Sequence, residues 1–313
     1  MQKLAPPRPG ANNTYRRTLA VMQNYIRMKS IILTLAFSLL SIQSFGTAQI
    51  PDLLIYNGDT LSLFSCPLNS YPDQALITPK SLFGGKGCFY TACWRNYIAT
   101  WEIINNELFL VEIRNACYPT ELRDVSVSYK SHVDKETVGK EYADLNVLFT
   151  DRIQNGKVKA DWVTGKLMSP QGKLMMYIHD GFLSIYEKEL EFRFENGLLV
   201  DTNQWDNSKT RISKYTENSN LLMEFIQSNI DYNNLPKADT IKRIVIIRVI
   251  SSDENGKIDS VAVVRGVNEL YDSEAIRVVK IIPEWNVIYR HGKITNEMKW
   301  SIPVKFDLNQ KND

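Results

Sequence analysis

Ile244-Val245-Ile246-Ile247-Arg248-Val249-Ile250 is the stretch on which the fold of this chain turns. A nearly continuous apolar run interrupted by one arginine predicts a central strand covered on at least one face. Asp253-Glu254-Asn255-Gly256 supplies a turn, and Ile258 to Arg265 returns as the antiparallel partner. Gly266 ends that strand. Asp272 is placed to cap a helix whose buried side is Ala275, Ile276, Val279 and Ile282, and Pro283 stops it, because the ring cannot sit in a continuing helix. The last strand alternates, with Met298, Trp300, Ile302, Val304 and Phe306 on one side and Lys299, Ser301, Pro303 and Lys305 on the other. Its proline assigns it to a sheet edge. A short helical stripe of Leu221, Leu222, Phe225 and Ile226 precedes the unit, so residues 216–313 read as a small strand, strand, helix, strand domain.

Upstream the texture changes. From Asp52 to about Tyr215, short β-branched and aromatic runs are separated by hairpin dipeptides: Asn57-Gly58, Asn105-Asn106, Asn155-Gly156, Asp180-Gly181 and Asn196-Gly197. This pattern predicts an antiparallel meander over residues 49–215. One interruption is helical, with Val138, Tyr142, Leu145 and Leu148 forming a stripe through Glu136 to Phe149. A polar link, Asp206 to Ser213, leads to the smaller unit. The fold class is therefore α+β, a β-rich first domain followed by a small α+β one.

The N-terminus reads as an address. Six of the 37 basic groups and none of the 35 acidic ones lie before residue 49, which leaves 31 basic against 35 acidic in the remainder. Met28-Lys29, the apolar run Ile31 to Leu40 and Gly46-Thr47-Ala48 have the three zones of a secretory signal peptide, with cleavage expected after Ala48. Residues 1–27 precede the charged zone and read as an N-terminal extension, with Met28 as the expected start. The rival reading keeps residues 31–48 as a short uncleaved anchor, and only then would the chain contact a membrane. No stretch reaches the 18 apolar residues of a clear span.

Export gives Cys66, Cys88, Cys93 and Cys117 two readings: two disulfides in one of three connectivities, or free buried thiols. Cys88 and Cys93 are spaced too widely for a Cys-x-x-Cys knuckle, and no metal or cofactor is expected. The histidines are His132, His179 and His291, few parts for acid/base chemistry. An enzymatic site would need His179, Asp180 and Asp161 to converge in a cleft; a solvated hairpin tip is the alternative. Gly84-Gly85-Lys86-Gly87 lacks the following Ser or Thr of a phosphate loop and reads as mobile. Phe89, Tyr90, Trp94, Tyr97, Trp101, Trp162, Tyr177, Tyr186 and Trp205 read as core before they read as a sugar- or peptide-stacking face. A net charge of +2 offers no electrostatic footprint for nucleic acid.

Two resemblances add to this. Ile55-Tyr56-Asn57-Gly58-Asp59-Thr60-Leu61, Cys93 to Trp101, Ala160 to Leu167 and Ser184 to Glu189 resemble a group of exported proteins of Bacteroidetes-type bacteria, a likeness that implies a source and no activity. Asp253 to Ile258, Val263-Val264-Arg265-Gly266, Ala275 to Val279, Pro283-Glu284-Trp285, His291-Gly292-Lys293 and Ser301 to Phe306 closely resemble the C-terminal domain of TonB-family proteins, over residues 220–308. That resemblance implies a periplasmic domain that captures a segment of an outer-membrane transporter, or another envelope protein, by strand addition at Met298 to Phe306. The membrane helix with its histidine and the Pro-rich spacer of an energy transducer have no counterpart here. An exported, non-enzymatic adaptor is therefore expected first, a membrane-anchored transducer second and an enzyme of the β-rich domain third.

Overall fold

Four Asn-initiated turns shape the larger part of the molecule. Asn57-Gly58, Asn105-Asn106, Asn155-Gly156 and Asn196-Gly197 all take left-handed φ at both positions, between 49° and 88°. This is the type I′ geometry that matches the twist of a tight hairpin. The computed structural model describes residues 47–88, 91–118, 135–236, 242–296 and 299–307. The expected signal segment, its extension, His132, Phe89, Tyr90 and Met298 lie outside the described residues. Those described are α+β and strand-rich, 42% strand and 20% helix. Among them no helix is long and apolar enough to cross a membrane.

The turns join β1 (Asp52–Tyr56) to β2 (Asp59–Leu63), β3 (Tyr97–Ile104) to β4 (Glu107–Asn115), β5 (Ile153–Gln154) to β6 (Lys157–Lys159), and β8 (Ile185–Glu195) to β9 (Leu198–Asp206). With β7 (Gly165–Met176) they form one sheet in the order β2-β1-β3-β4-β9-β8-β7, and β6 pairs with β4 beside this path. The pairing departs from a plain meander, because β1 runs parallel to β3 and β9 meets β4 only at Glu107–Leu198. At the other end the sheet turns back on itself. Phe64 N–H donates to Met168 O at 2.7 Å and Met168 N–H to Ser65 Oγ at 3.1 Å, so β7 returns beside the end of β2. Inside this barrel-like wrap lies a core of Leu54, Leu63, Trp101, Leu110, Phe192 and Phe194, all fully buried. Each such side chain contributes roughly 1.5–3 kcal/mol by leaving water.

Three local expectations are corrected. The stripe from Glu136 to Phe149 is broken: α2 is Lys135–Val138 and α3 is Leu145–Leu148, following a short α1 (Pro79–Phe83). Gly139 interrupts it at φ +83°, where its backbone lies against Phe83 and Gly85, and Asp144 caps α3 anew. For the same reason the glycine run is packed: Lys86 N–H donates to Thr137 O at 2.8 Å, and a Cβ at Gly85 would stand 2.2 Å from Val138 C. Asp180-Gly181 is no two-residue hairpin. The β7–β8 connection covers residues 177–184, and the Ser184 hydroxyl holds Ile178 N and O at 3.0 and 3.2 Å.

The smaller part contains α4 (Lys214–Glu217), α5 (Ser219–Asn229), β10 (Arg243–Ser252), β11 (Ile258–Arg265), α6 (Glu269–Lys280), the short hairpin β12 (Tyr289–Arg290) and β13 (Lys293–Ile294), and β14 (Ser301–Phe306). Its sheet has the order β11-β10-β14, with both neighbours antiparallel to the apolar central strand. Val245, Ile247, Val249, Ile302, Val304 and Phe306 form the buried face and pack with Tyr271, Ala275, Val278 and Val279 of α6. The cap of α6 is Asn268, not Asp272: its side chain accepts from Leu270 N and Tyr271 N, while Asp272 Oδ1 accepts from Val267 N at 2.8 Å. Ile276, expected in the buried stripe, is only half-buried.

The polar link is built into the body. Arg211 and Val287 exchange backbone hydrogen bonds of 2.9 and 3.0 Å. Asn286 Oδ1 accepts from Ser213 N–H at 2.8 Å and from the Thr216 hydroxyl at 2.7 Å. Asn207, Thr210, Ser213 and Asn286 are all buried. Polar groups withdrawn from water require such partners.

Candidate functional site

Pro303 fixes which way β14 presents its backbone. In the register with β10, Pro303 faces Ile246, Ser301 faces Arg248 and Lys305 faces Ile244. A proline offers no N–H, so its pair cannot be one that exchanges both ladder bonds. The bonded pairs are the alternate ones, Ile247–Ile302 and Val245–Val304, and the series continues with Val249 N–H to Trp300 O at 2.9 Å. Ser301, Pro303 and Lys305 therefore turn their N–H and C=O positions outward, away from β10. On the outer side, Lys305 O accepts from Gln227 Nε2 of α5 at 2.8 Å. The edge thus offers the N–H groups of Ser301 and Lys305 and the carbonyls of Ser301 and Pro303. Ser301, Pro303 and Lys305 are exposed, whereas Ile302, Val304 and Phe306 are buried. The strand begins at Ser301: Lys299 and Trp300 precede it.

The cysteines divide. Cys88 and Cys117 form a disulfide with Cα atoms 5.7 Å apart, and Cys66 and Cys93 are free thiols. These two belong to a buried polar cluster at the start of β1 and β3. The Asp52 carboxylate, fully buried, accepts from Arg95 at 2.8 Å, Ala99 N–H at 3.1 Å and Trp101 Nε1 at 3.1 Å. Burial raises its pKa above 3.8, and the Arg95 charge with these hydrogen bonds opposes that rise without cancelling it. Burial works against the Arg95 charge, but Asp52 and the surrounding acidic groups hold its pKa above the ordinary value. Burial, with Asp52 nearby, pushes the Cys66 thiol up to about 12. Burial likewise raises Cys93, whose Sγ lies 3.2 Å from Tyr97 O. Thiols kept protonated in this way are poor nucleophiles and poor metal ligands. Among the described residues no group of three or more metal-ligating side chains converges.

The histidine expectation resolves against convergence. His179 Nδ1 lies 3.0 Å from the Tyr177 hydroxyl on the exposed β7–β8 connection. Asp161 instead pairs with Arg152 and lines a cleft of about 540 Å³ with Tyr71, Phe149 and Lys159. The Arg152 guanidinium stands 6.0 Å from the Tyr71 ring and 5.6 Å from that of Trp162. His291 lies 3.8 Å from Glu189 and touches Trp205 across the junction of the two cores. Of the aromatics, Tyr97 and Trp101 are core and Trp162 and Trp205 half-buried, whereas Trp94 and Tyr177 are exposed. Sequence reasoning had no signal for the Asp52–Arg95 cluster, since the two lie far apart in the chain, nor for the cleft, which is assembled from three separate segments, 71–76, 148–154 and 159–161. Compared with family models, with curated proteins and with solved structures, the chain matches none.

Proposed function

We propose that the chain is an exported, non-enzymatic adaptor of the cell envelope, which captures an extended segment of a partner protein by strand addition to β14. The observation that carries the reading is the regular edge of β14, bonded to β10 on one side and presenting Ser301, Pro303 and Lys305 on the other. Unpaired edge groups are a template for another strand, and main-chain bonds give such docking its affinity. The sequence likeness to TonB-family C-terminal domains supports the same surface, with a segment of an outer-membrane transporter as the implied partner. Periplasmic residence rests on the signal-like segment and on the same likeness.

The test follows from the outward parity. Pro303 already lacks one of three outward N–H groups, and Ser301→Pro with Lys305→Pro removes the other two without touching a bond to β10. The paired variant should keep its thermal transition yet lose cross-linking to envelope partners at least tenfold, while Ser301→Ala keeps it. Undiminished capture by the folded double variant overturns the reading. A charge at Ile302 would not serve, because that side chain is buried and the variant would unfold.

A further inference from the structure

The other face of the small sheet carries an unusual set of side chains. Across β11, β10 and β14 the register reads Ala262–Arg248–Ser301 in one row, Arg265–Ile246–Pro303 in the next, and Ile244–Lys305 at the end. Ile250 extends the central line. These positions alternate with the buried ones and point away from α5 and α6, which cover the opposite face. Along β10 the face therefore presents Ile244, Ile246, Arg248 and Ile250, with Ile244 39% exposed. An antiparallel sheet with one solvated face normally shows polar residues there. On the flanking strands Arg265, Ser301 and Lys305 follow that rule, whereas along the central strand isoleucines flank Arg248.

The charge is equally one-sided. Arg248, Arg265 and Lys305 belong to this face, and no position in those rows carries an acid. None of the three makes an ion pair among the described residues. Residues 218–313 contain 13 basic and 13 acidic groups, so the basic character of this face is local. Glu224, Glu269, Asp272 and Glu274 lie on α5 and α6, across the sheet, and Asp253 and Glu254 lie in the β10–β11 turn. Solvated surfaces intersperse the two signs, and a patch of one sign focuses a field on its counterpart.

We propose that this face docks an acidic amphipathic helix of a partner protein. From Ile244 to Ile250 the apolar row runs roughly 20 Å at ~3.3 Å per residue, the length of a helix of about 13 residues at ~1.5 Å each. A helix laid along the row would place its apolar stripe on the isoleucines and its acids against Arg248, Arg265 and Lys305. It would complete a helix, sheet, helix sandwich of which α5 and α6 form one outer layer. The site is distinct from the β14 edge, since a helix cannot extend a strand ladder.

The probe is an 18-residue fluorescent peptide of Leu and Glu, patterned so that Leu recurs with the helical period, titrated against the full chain by anisotropy at low and at physiological salt. Binding is expected, weakened by salt, reduced at least tenfold in Arg248→Glu/Arg265→Glu and in Ile244→Glu, and unchanged in the folded Ser301→Pro variant, which removes an edge N–H and none of the three cations. This last arm separates the face from the edge. Equal binding of a Leu and Lys peptide of the same pattern overturns the proposal, as does affinity unaffected by the face variants. So does binding confined to vesicles of 30% phosphatidylglycerol in phosphatidylcholine, which would make the anion a lipid headgroup and not a polypeptide.

Discussion

Replacing Arg95 by Met isolates the energetics of the buried ion pair. The side chain of Asp52 is fully buried and that of Arg95 11% exposed, so the substitution leaves a carboxylate in the interior with only Ala99 N–H and Trp101 Nε1 as donors. Removing one partner of a buried pair typically costs ~3–5 kcal/mol. The two remaining donors place this case at the lower end, about 3 kcal/mol, and the lost bond from Arg95 to Ile50 O is included in that figure. For a body of this size the melting temperature should fall by about 6–12 °C. Urea denaturation at fixed m measures the free energy directly. The pH dependence gives a second handle. Asp52 already has its folded pKa raised above 3.8, so its contribution to stability is present below that value and is lost as pH rises through the folded one. Arg95 is the largest influence lowering that pKa, so its removal raises it further and the deficit of the variant should be greatest at pH 7 and shrink towards pH 4.5. Asp52→Asn/Arg95→Met should recover much of the loss at pH 7. A deficit below about 1 kcal/mol at pH 7, or one equal at both pH values, refutes the reasoning.

The remaining predictions concern the thiols, the disulfide and the junction. At pH 8 a thiol of pKa 9.0 is about one-tenth thiolate, and one near 12 about one ten-thousandth, so Cys66 should be alkylated by iodoacetamide roughly a thousandfold more slowly than a model thiol until the chain is denatured. Mass spectrometry after timed quenching reads this out, and fast labelling of native Cys66 would contradict it. The Cys88–Cys117 disulfide closes a separation of 29 residues, so Cys88→Ser/Cys117→Ser should lose about 3–4 kcal/mol in denaturant titration by the loop-entropy relation. Asn286→Leu leaves Ser213 N–H and the Thr216 hydroxyl without their acceptor, and should cost about 1–3 kcal/mol, visible as a lower midpoint in urea.

Periodicity and turn chemistry made much of the fold legible. The alternation in Ser301 to Phe306 reports a strand buried on one face, and the short, β-branched run Ile244 to Ile250 before a turn signal reads as a strand, although its buried positions alternate. Asn-Gly and Asn-Asn dipeptides marked true hairpins because both residues accept positive φ. Asp180-Gly181 failed because only Gly181 is left-handed there, and Ser184 stabilises a wider loop. The helical stripe over Glu136 to Phe149 failed because the contact of Gly139 with Phe83 is tertiary and invisible to a local pattern. The parallel β1–β3 pairing, the return of β7 to β2 and the Asp52–Arg95 pair join residues distant in the chain, and no spacing rule reports them. The edge residues of the proposed docking strand could be read from Pro303; the isoleucine and arginine face behind it required the register.

Among the described residues, the free outer sides of β9, β11 and β14 differ in chemistry in a way that favours β14 for the proposed docking. Along β9, Leu199 N–H is bonded to Asn106 O at 2.7 Å and Thr202 N–H to the Asp201 side chain at 3.0 Å, so two of its outward donors are taken up within the molecule. β11 meets β10 through three register shifts, and a bulged, twisted edge does not hold the even spacing that an incoming strand needs. β14 pairs with β10 over six residues without a shift, which keeps its outward groups in line. Pro303 and Lys305 discourage indiscriminate pairing there, since one removes a donor and the other places a charge beside the ladder. A partner docked as proposed would have to tolerate a missing bond at the centre and a cation near one end, which would make the exposed edge a selective one. Replacing Pro303 by Val restores the third outward N–H, so it should raise affinity for the captured segment and also broaden capture to unrelated strands. A gain in affinity with no loss of selectivity in a competition cross-linking assay would show that Pro303 has no part in the discrimination.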